Sequence, residues 1–147
     1  MKKVTRQSVF ETNSSSTHSI SIADAGDLTD TLAVDEKGTC VICGGTFGWE
    51  IEDYYDAASK ASYAYVYARD HAPDRTQAIE RLCRVVMART GAKLVQFGSR
   101  ENDEDEDYGY IDHQSDYVCG EAFESDEKLA AFIFSPKSWL HTDNDNH

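Results

Sequence analysis

The chain has 147 residues, with 14 lysines and arginines against 27 aspartates and glutamates and a formal net charge of −13. That length is about one domain, 1–147, and it can bury roughly 70% of the unfolded surface, so a core needs neither disulfides nor metal. So acidic a chain is repelled by phosphates and anionic lipids, which excludes duplex nucleic-acid binding through a basic patch and leaves either solubility or attraction to a basic protein as the use of the charge.

Apolar residues make up 40% of the chain and aromatics 11%, a globular composition. Met1-Lys2-Lys3 is followed by polar residues, and no apolar run approaches the roughly 20 residues of a membrane span. The expectation is a cytoplasmic protein whose four cysteines are reduced thiols.

Residues 4–10 and 17–23 read as two short strands joined by a turn at Asn13-Ser14-Ser15-Ser16, whose side chains compete for nearby backbone groups. In His18-Ser19-Ile20-Ser21-Ile22 polar and apolar residues alternate with the period of a half-buried strand. Residues 24–35 read as a loop with one helical turn. Thr39-Cys40-Val41-Ile42-Cys43 reads as a buried strand, broken by Gly44-Gly45-Thr46-Phe47-Gly48.

Residues 50–70 are predicted to form a helix, with Tyr54, Ala58, Ala61, Tyr65 and Ala68 on one stripe. Glu50, Glu52, Asp53 and Asp56 then fall near its start, where the helix dipole favours acids. Pro73 opens a second helix with Ile79, Leu82, Val86 and Met87 facing inward and Gly91 as its C-terminal cap. The short link at His71-Ala72 makes the two a hairpin. Residues 93–97, 108–111 and 117–119 read as short strands, and residues 125–131 as a short helix with Ser125 as N-cap. Residues 142–147 read as a frayed polar tail. Together these predict a single α+β domain, a small, mostly antiparallel sheet packed on a two-helix hairpin.

Cys40-Val41-Ile42-Cys43 has the spacing of half a zinc knuckle, but the second pair of ligands is missing and packed core thiols are the plainer reading. A redox motif should open directly into a helix, and this one does not. No cofactor is implied, no metal ligand set is assigned, and no oligomeric state follows. Gly44 to Trp49 could cradle a phosphate ahead of a helix, yet the stretch lacks a P-loop ending, and a turn accounts for it. Six of the seven residues from Glu101 to Asp107 are acidic. Glu101, Asp103, Glu104, Asp105, Glu106 and Asp107 make either a solvated, self-repelling loop or a surface for a basic partner; the spacing does not fit a calcium loop.

Two polar stretches concentrate chemistry. In the first, Asn13, Ser14, Ser15 and Ser16 could bind a phosphate or carboxylate without adding positive charge, and His18 could exchange protons near neutral pH. In the second, Asp112 could orient His113 beside Ser115, provided the backbone turns there, because neighbours on a strand point to opposite faces. Surface loops would give the same compositions. If the stretches meet, His18, His113 and Asp112 are the candidate catalytic groups, and Asn13, Ser14, Ser15, Ser16 and Ser115 the candidate ligand-binding ones.

Val9-Phe10-Glu11-Thr12-Asn13-Ser14-Ser15-Ser16-Thr17-His18-Ser19-Ile20 resembles the opening of an uncharacterised family of small bacteriophage and prophage proteins. Gly44 to Glu50, Lys60-Ala61-Ser62-Tyr63 and Gly109 to Ser115 are similar to that family's later landmarks. The resemblance implies a phage-type accessory protein working inside the bacterial host, and it carries no catalytic residue with it. Two functions stay open from the sequence. One is a polar Ser/His/Asp site that binds or hydrolyses a nucleotide-like or phosphorylated ligand. The other is an acidic inhibitor that blocks a basic host protein, such as a nuclease or defence protein, through residues 101–107.

Overall fold

The computed structural model describes residues 17–24, 26–48, 50–98, 110–111 and 118–143. The predicted strand at 4–10 and its turn therefore lie outside the described residues, as do residues 99–109, 112–117 and 144–147.

The described chain is α+β. Strands β1 (Ser19–Ser21), β2 (Thr39–Cys43), β3 (Thr46–Phe47) and β4 (Glu52–Tyr54) precede helices α1 (Ala57–Asp70) and α2 (Arg75–Thr90). Strands β5 (Leu94–Gly98) and β6 (Tyr110–Ile111), a 3-10 helix (Val118–Glu124), helix α3 (Asp126–Phe134) and strand β7 (Trp139–Thr142) complete the order. β7 lies between β1 and β4 in an antiparallel sheet. β2 pairs with β5, and β3 with β6, both in parallel. A parallel pair needs a crossover, and the α1–α2 hairpin supplies it between β2 and β5.

The caps explain the helix starts. Asp56 accepts from the Ser59 N–H at 2.8 Å, Asp74 from Gln77 at 3.1 Å, and Ser125 from Lys128 at 3.0 Å. Pro73 stands just ahead of the second cap instead of opening the helix. Gly91 ends α2 in the left-handed conformation at φ 79°, and its N–H bonds the Met87 carbonyl.

The first helix begins at Ala57, seven residues later than the 50–70 prediction, because residues 52–54 pair with β7 instead. Glu50, Glu52 and Asp53 thus stand off the helix. α1 is buried on nearly every side, with Ala61, Tyr63, Ala64, Val66 and Ala68 at 1% exposure or less. A helix enclosed all round carries little single-face periodicity. Around it pack Leu82 and Val86 of α2, Leu129, Phe132 and Phe134 of α3, and Leu140 of β7, in one core cluster.

Three smaller expectations also change. Residues 24–35 hold no helical turn among those described. Cys119 sits in the 3-10 helix, not a strand. The region before the tail supplies β7, the central strand of its sheet.

Candidate functional site

The first polar stretch divides at β1. His18 turns inward and is 6% exposed. Its Nε2 lies 2.7 Å from the Gly48 carbonyl oxygen, and its Nδ1 2.9 Å from the Tyr63 hydroxyl. A carbonyl only accepts, so Nε2 carries the hydrogen, and the Tyr63 hydroxyl can then donate to Nδ1. The imidazole thus ties β1 to the glycine-rich loop and to the middle of α1.

The other side of that loop opens on a cleft of about 490 Å³. Its walls come from β2 (Val41, Cys43), the loop and β3 (Gly45, Thr46, Phe47), Tyr54 of β4, and the first turns of α1 (Ala58, Ser59, Ser62). Phe47 is its aromatic floor. It meets Tyr54 edge-on at 5.6 Å and Tyr63 edge-on at 4.9 Å, and Tyr63 is the residue bonded to His18. His18 therefore supports the cleft from behind and does not line it. Gly45 is where the loop presses on α1: a Cβ there would stand 2.9 Å from Ser62 Oγ and 3.1 Å from the Phe47 ring.

The cleft's chemistry is neutral. Thr46, Ser59 and Ser62 bring hydroxyls and Cys43 a thiol, and among the described lining residues there is no imidazole, carboxylate or cation. Burial, reinforced by Glu50 and Glu52, pushes the Tyr54 phenol up to about 12, so it remains a hydroxyl.

The second polar stretch, residues 112–115, lies outside the described residues. Its last described neighbour, Ile111, pairs with Phe47, and the residue after Phe47 is Gly48, which holds His18. His18 of the first stretch and Ile111 are therefore both anchored at β3 or the residue after it. Asn13, Ser14, Ser15, Ser16, Asp112, His113 and Ser115 lie outside the described residues. So do Glu101, Asp103, Glu104, Asp105, Glu106 and Asp107.

Cys40 points into the core at 1% exposure, while Cys43 lines the cleft. Three residues apart on a strand, their side chains leave opposite faces and do not converge on one ion. Burial raises the Cys40 thiol pKa, as it does for Cys83 and Cys119.

Two polar centres escaped the sequence reading. Lys60 is fully buried, and its ammonium donates to the Ser135 and Ser138 carbonyls at 2.8 and 2.9 Å, capping the end of α3. His141, on β7, has Nδ1 2.6 Å from Asp53 and Nε2 3.2 Å from Asp143. These carboxylates, Asp53 foremost, raise its pKa. A lysine in an alanine-rich helix and a histidine beside a polar tail carry no local mark of such partners. The chain matches no protein-family profile, no curated protein and no solved structure. No helix among the described residues is long and apolar enough to cross a membrane.

Proposed function

We propose that this chain is a small-ligand binding protein whose β3 cleft takes a nucleoside or nucleotide-like molecule, in the bacterial cytoplasm and phage setting that the sequence resemblance implies. The observation that supports this reading is the cleft itself, floored by Phe47 of β3, with His18 bracing the next residue, Gly48, from behind. A pocket of 300–1,000 Å³ with an apolar body and a few placed polar groups is typical of small-molecule sites. Here the Tyr54 ring, packed against the buried Phe47, offers an aromatic surface, and the Thr46, Ser59 and Ser62 hydroxyls offer donors and acceptors suited to a base or sugar. The lining supports binding more than hydrolysis, since the described walls hold no imidazole, carboxylate or ammonium group and His18 is engaged behind them.

The test is a thermal-shift screen with nucleosides and their monophosphates, on the native chain and on Ala58→Trp. Ala58 is exposed on the cleft wall, so the indole obstructs the cleft without entering the core. A true ligand at a hundredfold excess over Kd stabilises by about 2.7 kcal/mol, or about 5–10 °C for a chain this size. That shift should vanish in Ala58→Trp while the ligand-free Tm stays put. No shift with any compound, or one that survives Ala58→Trp, refutes the reading.

A further inference from the structure

Two of the carboxylates that a helix start would have explained, Glu52 and Asp53, stand on a strand instead. Residues 50–56 contain Glu50, Glu52, Asp53 and Asp56, together with Ile51, Tyr54 and Tyr55, and no cation. Only Asp56 caps α1.

The register of the three-stranded sheet shows where this segment leads. Ser19 pairs with His141, and His141 with Asp53; Ser21 pairs with Trp139. Continuing the same antiparallel register sets Tyr55 opposite Trp139 and Ile51 opposite Asp143. The Tyr55 and Trp139 rings indeed touch, with centroids 6.0 Å apart, and the Thr17 N–H bonds the Asp143 carbonyl at 3.0 Å. Side chains alternate along strands, so the outer face is a grid of three rows: Thr17, Asp143 and Ile51; Ser19, His141 and Asp53; Ser21, Trp139 and Tyr55. The inner face, with Leu140 and Thr142 at 0% exposure, belongs to the core.

The outer face keeps large apolar groups in solvent: Ile51 is 60% exposed, Tyr55 50% and Trp139 37%. Exposed aromatics beside ordered charge are what interface anchors look like. Asp53 gives one oxygen to His141, and its side chain is 54% exposed, with no partner for its other oxygen among the described residues. The aromatic row and the Asp53 row are two residues apart along the strands, about 6.8 Å. An arginine side chain spans that step, with its guanidinium stacked on Trp139 or Tyr55 and turned toward the carboxylate.

We propose that this sheet face docks a short, arginine-bearing segment of a basic partner protein. Charge complementarity selects the occupant: a chain of net charge −13 presents here carboxylates and aromatic faces, both of which attract a guanidinium. The grid measures about 10 by 14 Å, the footprint of a short segment and not of a whole globular interface. The proposal does not rest on the β3 cleft, which lies elsewhere on the fold.

The probe is a synthetic peptide alternating arginine and serine, titrated at low salt and followed by calorimetry and by the Trp139 indole signal in NMR. Its control replaces arginine by citrulline, which keeps the shape and removes the charge. The arginine peptide should bind and shift the Trp139 signal, and the citrulline peptide should not. Trp139→Ala and Asp53→Asn should each weaken binding by about three- to tenfold. Trp139→Phe should retain most of the affinity, which separates lost contact from lost fold. Glu36→Gln, an exposed acid on the turn before β2, should leave binding unchanged. Equal losses for Glu36→Gln and Asp53→Asn would mean diffuse attraction and overturn the proposal. So would binding of the citrulline peptide, or self-association of the chain that Trp139→Ala abolishes.

Discussion

Replacing Lys60 by methionine removes a buried ammonium while keeping an unbranched stem. Burial pulls the Lys60 pKa down from 10.5 to about 8, against the smaller opposing pull of Asp30 and Asp56. That depression makes the charged form roughly 3 kcal/mol less favourable in the fold than in the unfolded chain. The substitution relieves this cost but strands the Ser135 and Ser138 carbonyls, a loss of about 2–6 kcal/mol for two buried acceptors. At pH 7 the two effects nearly offset, and the variant should fall between about 1 kcal/mol more stable and about 3 kcal/mol less stable than the native chain. The sharper expectation concerns pH. The folded lysine releases its proton before the unfolded one, so between about pH 8 and 10.5 the unfolded chain binds more protons and the lysine's cost fades as pH rises. From pH 7 to 9.5 the native chain should gain about 2 kcal/mol relative to Lys60→Met. Urea unfolding of both proteins at the two pH values measures it, since tyrosine and cysteine titrations shared by both cancel in the difference. A difference that stays flat with pH would refute the desolvated-amine account.

Three further outcomes follow from the geometry. His18→Phe keeps a ring but removes the hydrogen bonds to the Gly48 carbonyl and the Tyr63 hydroxyl, so denaturant unfolding should show a loss of about 2–4 kcal/mol. Asp126 bridges Arg84 and Arg81, which hold its pKa down to about 2. Its contribution is present above the unfolded value of 3.8 and disappears as pH falls toward 2; because the side chain is 46% exposed it should amount to about 1 kcal/mol or less and weaken with salt. Native and Asp126→Asn chains should therefore differ near pH 7 and converge near pH 2. The His141 imidazole should titrate above its ordinary value of 6.5 by NMR, and Asp53→Asn should bring it back toward 6.5. Its raised pKa means that the stability it adds is present below 6.5 and is lost as pH rises through the folded value.

The elements legible in the sequence are those whose signals are local. β2 shows an apolar run that ends in glycines, α2 shows an inward stripe that ends in Gly91, and α3 shows its Ser125 cap. What escaped depends on distant partners. Residues 52–54 have helix-compatible neighbours and become a strand only because β7, almost ninety positions later, offers its edge. β7 itself is four residues long, beside a polar tail, and its strand character comes from being held between β1 and β4. Short strands supply few local contacts, so pairing overrides propensity there.

The same logic divides the candidate site. Composition marked residues 12–19 as one polar block, but a strand has a period of two, and at its described end the block splits. His18 faces inward to brace the glycine-rich loop, while Thr17 and Ser19 fall on the outer face beside Asp143 and His141. Reading period before composition would have separated a structural histidine from surface hydroxyls. No local pattern could have revealed that the histidine beside those hydroxyls is His141, because that contact is fixed by sheet register alone. The acids at 50–56 make the converse case. For Glu50, Glu52 and Asp53 the helix-start explanation disappears once β4 is a strand, and Asp53 finds structural work on His141, while Asp56 still caps α1. The exposed aromatics beside Asp53 remain unexplained by folding, which is why the sheet face, and not the helix start, is where a partner should be sought.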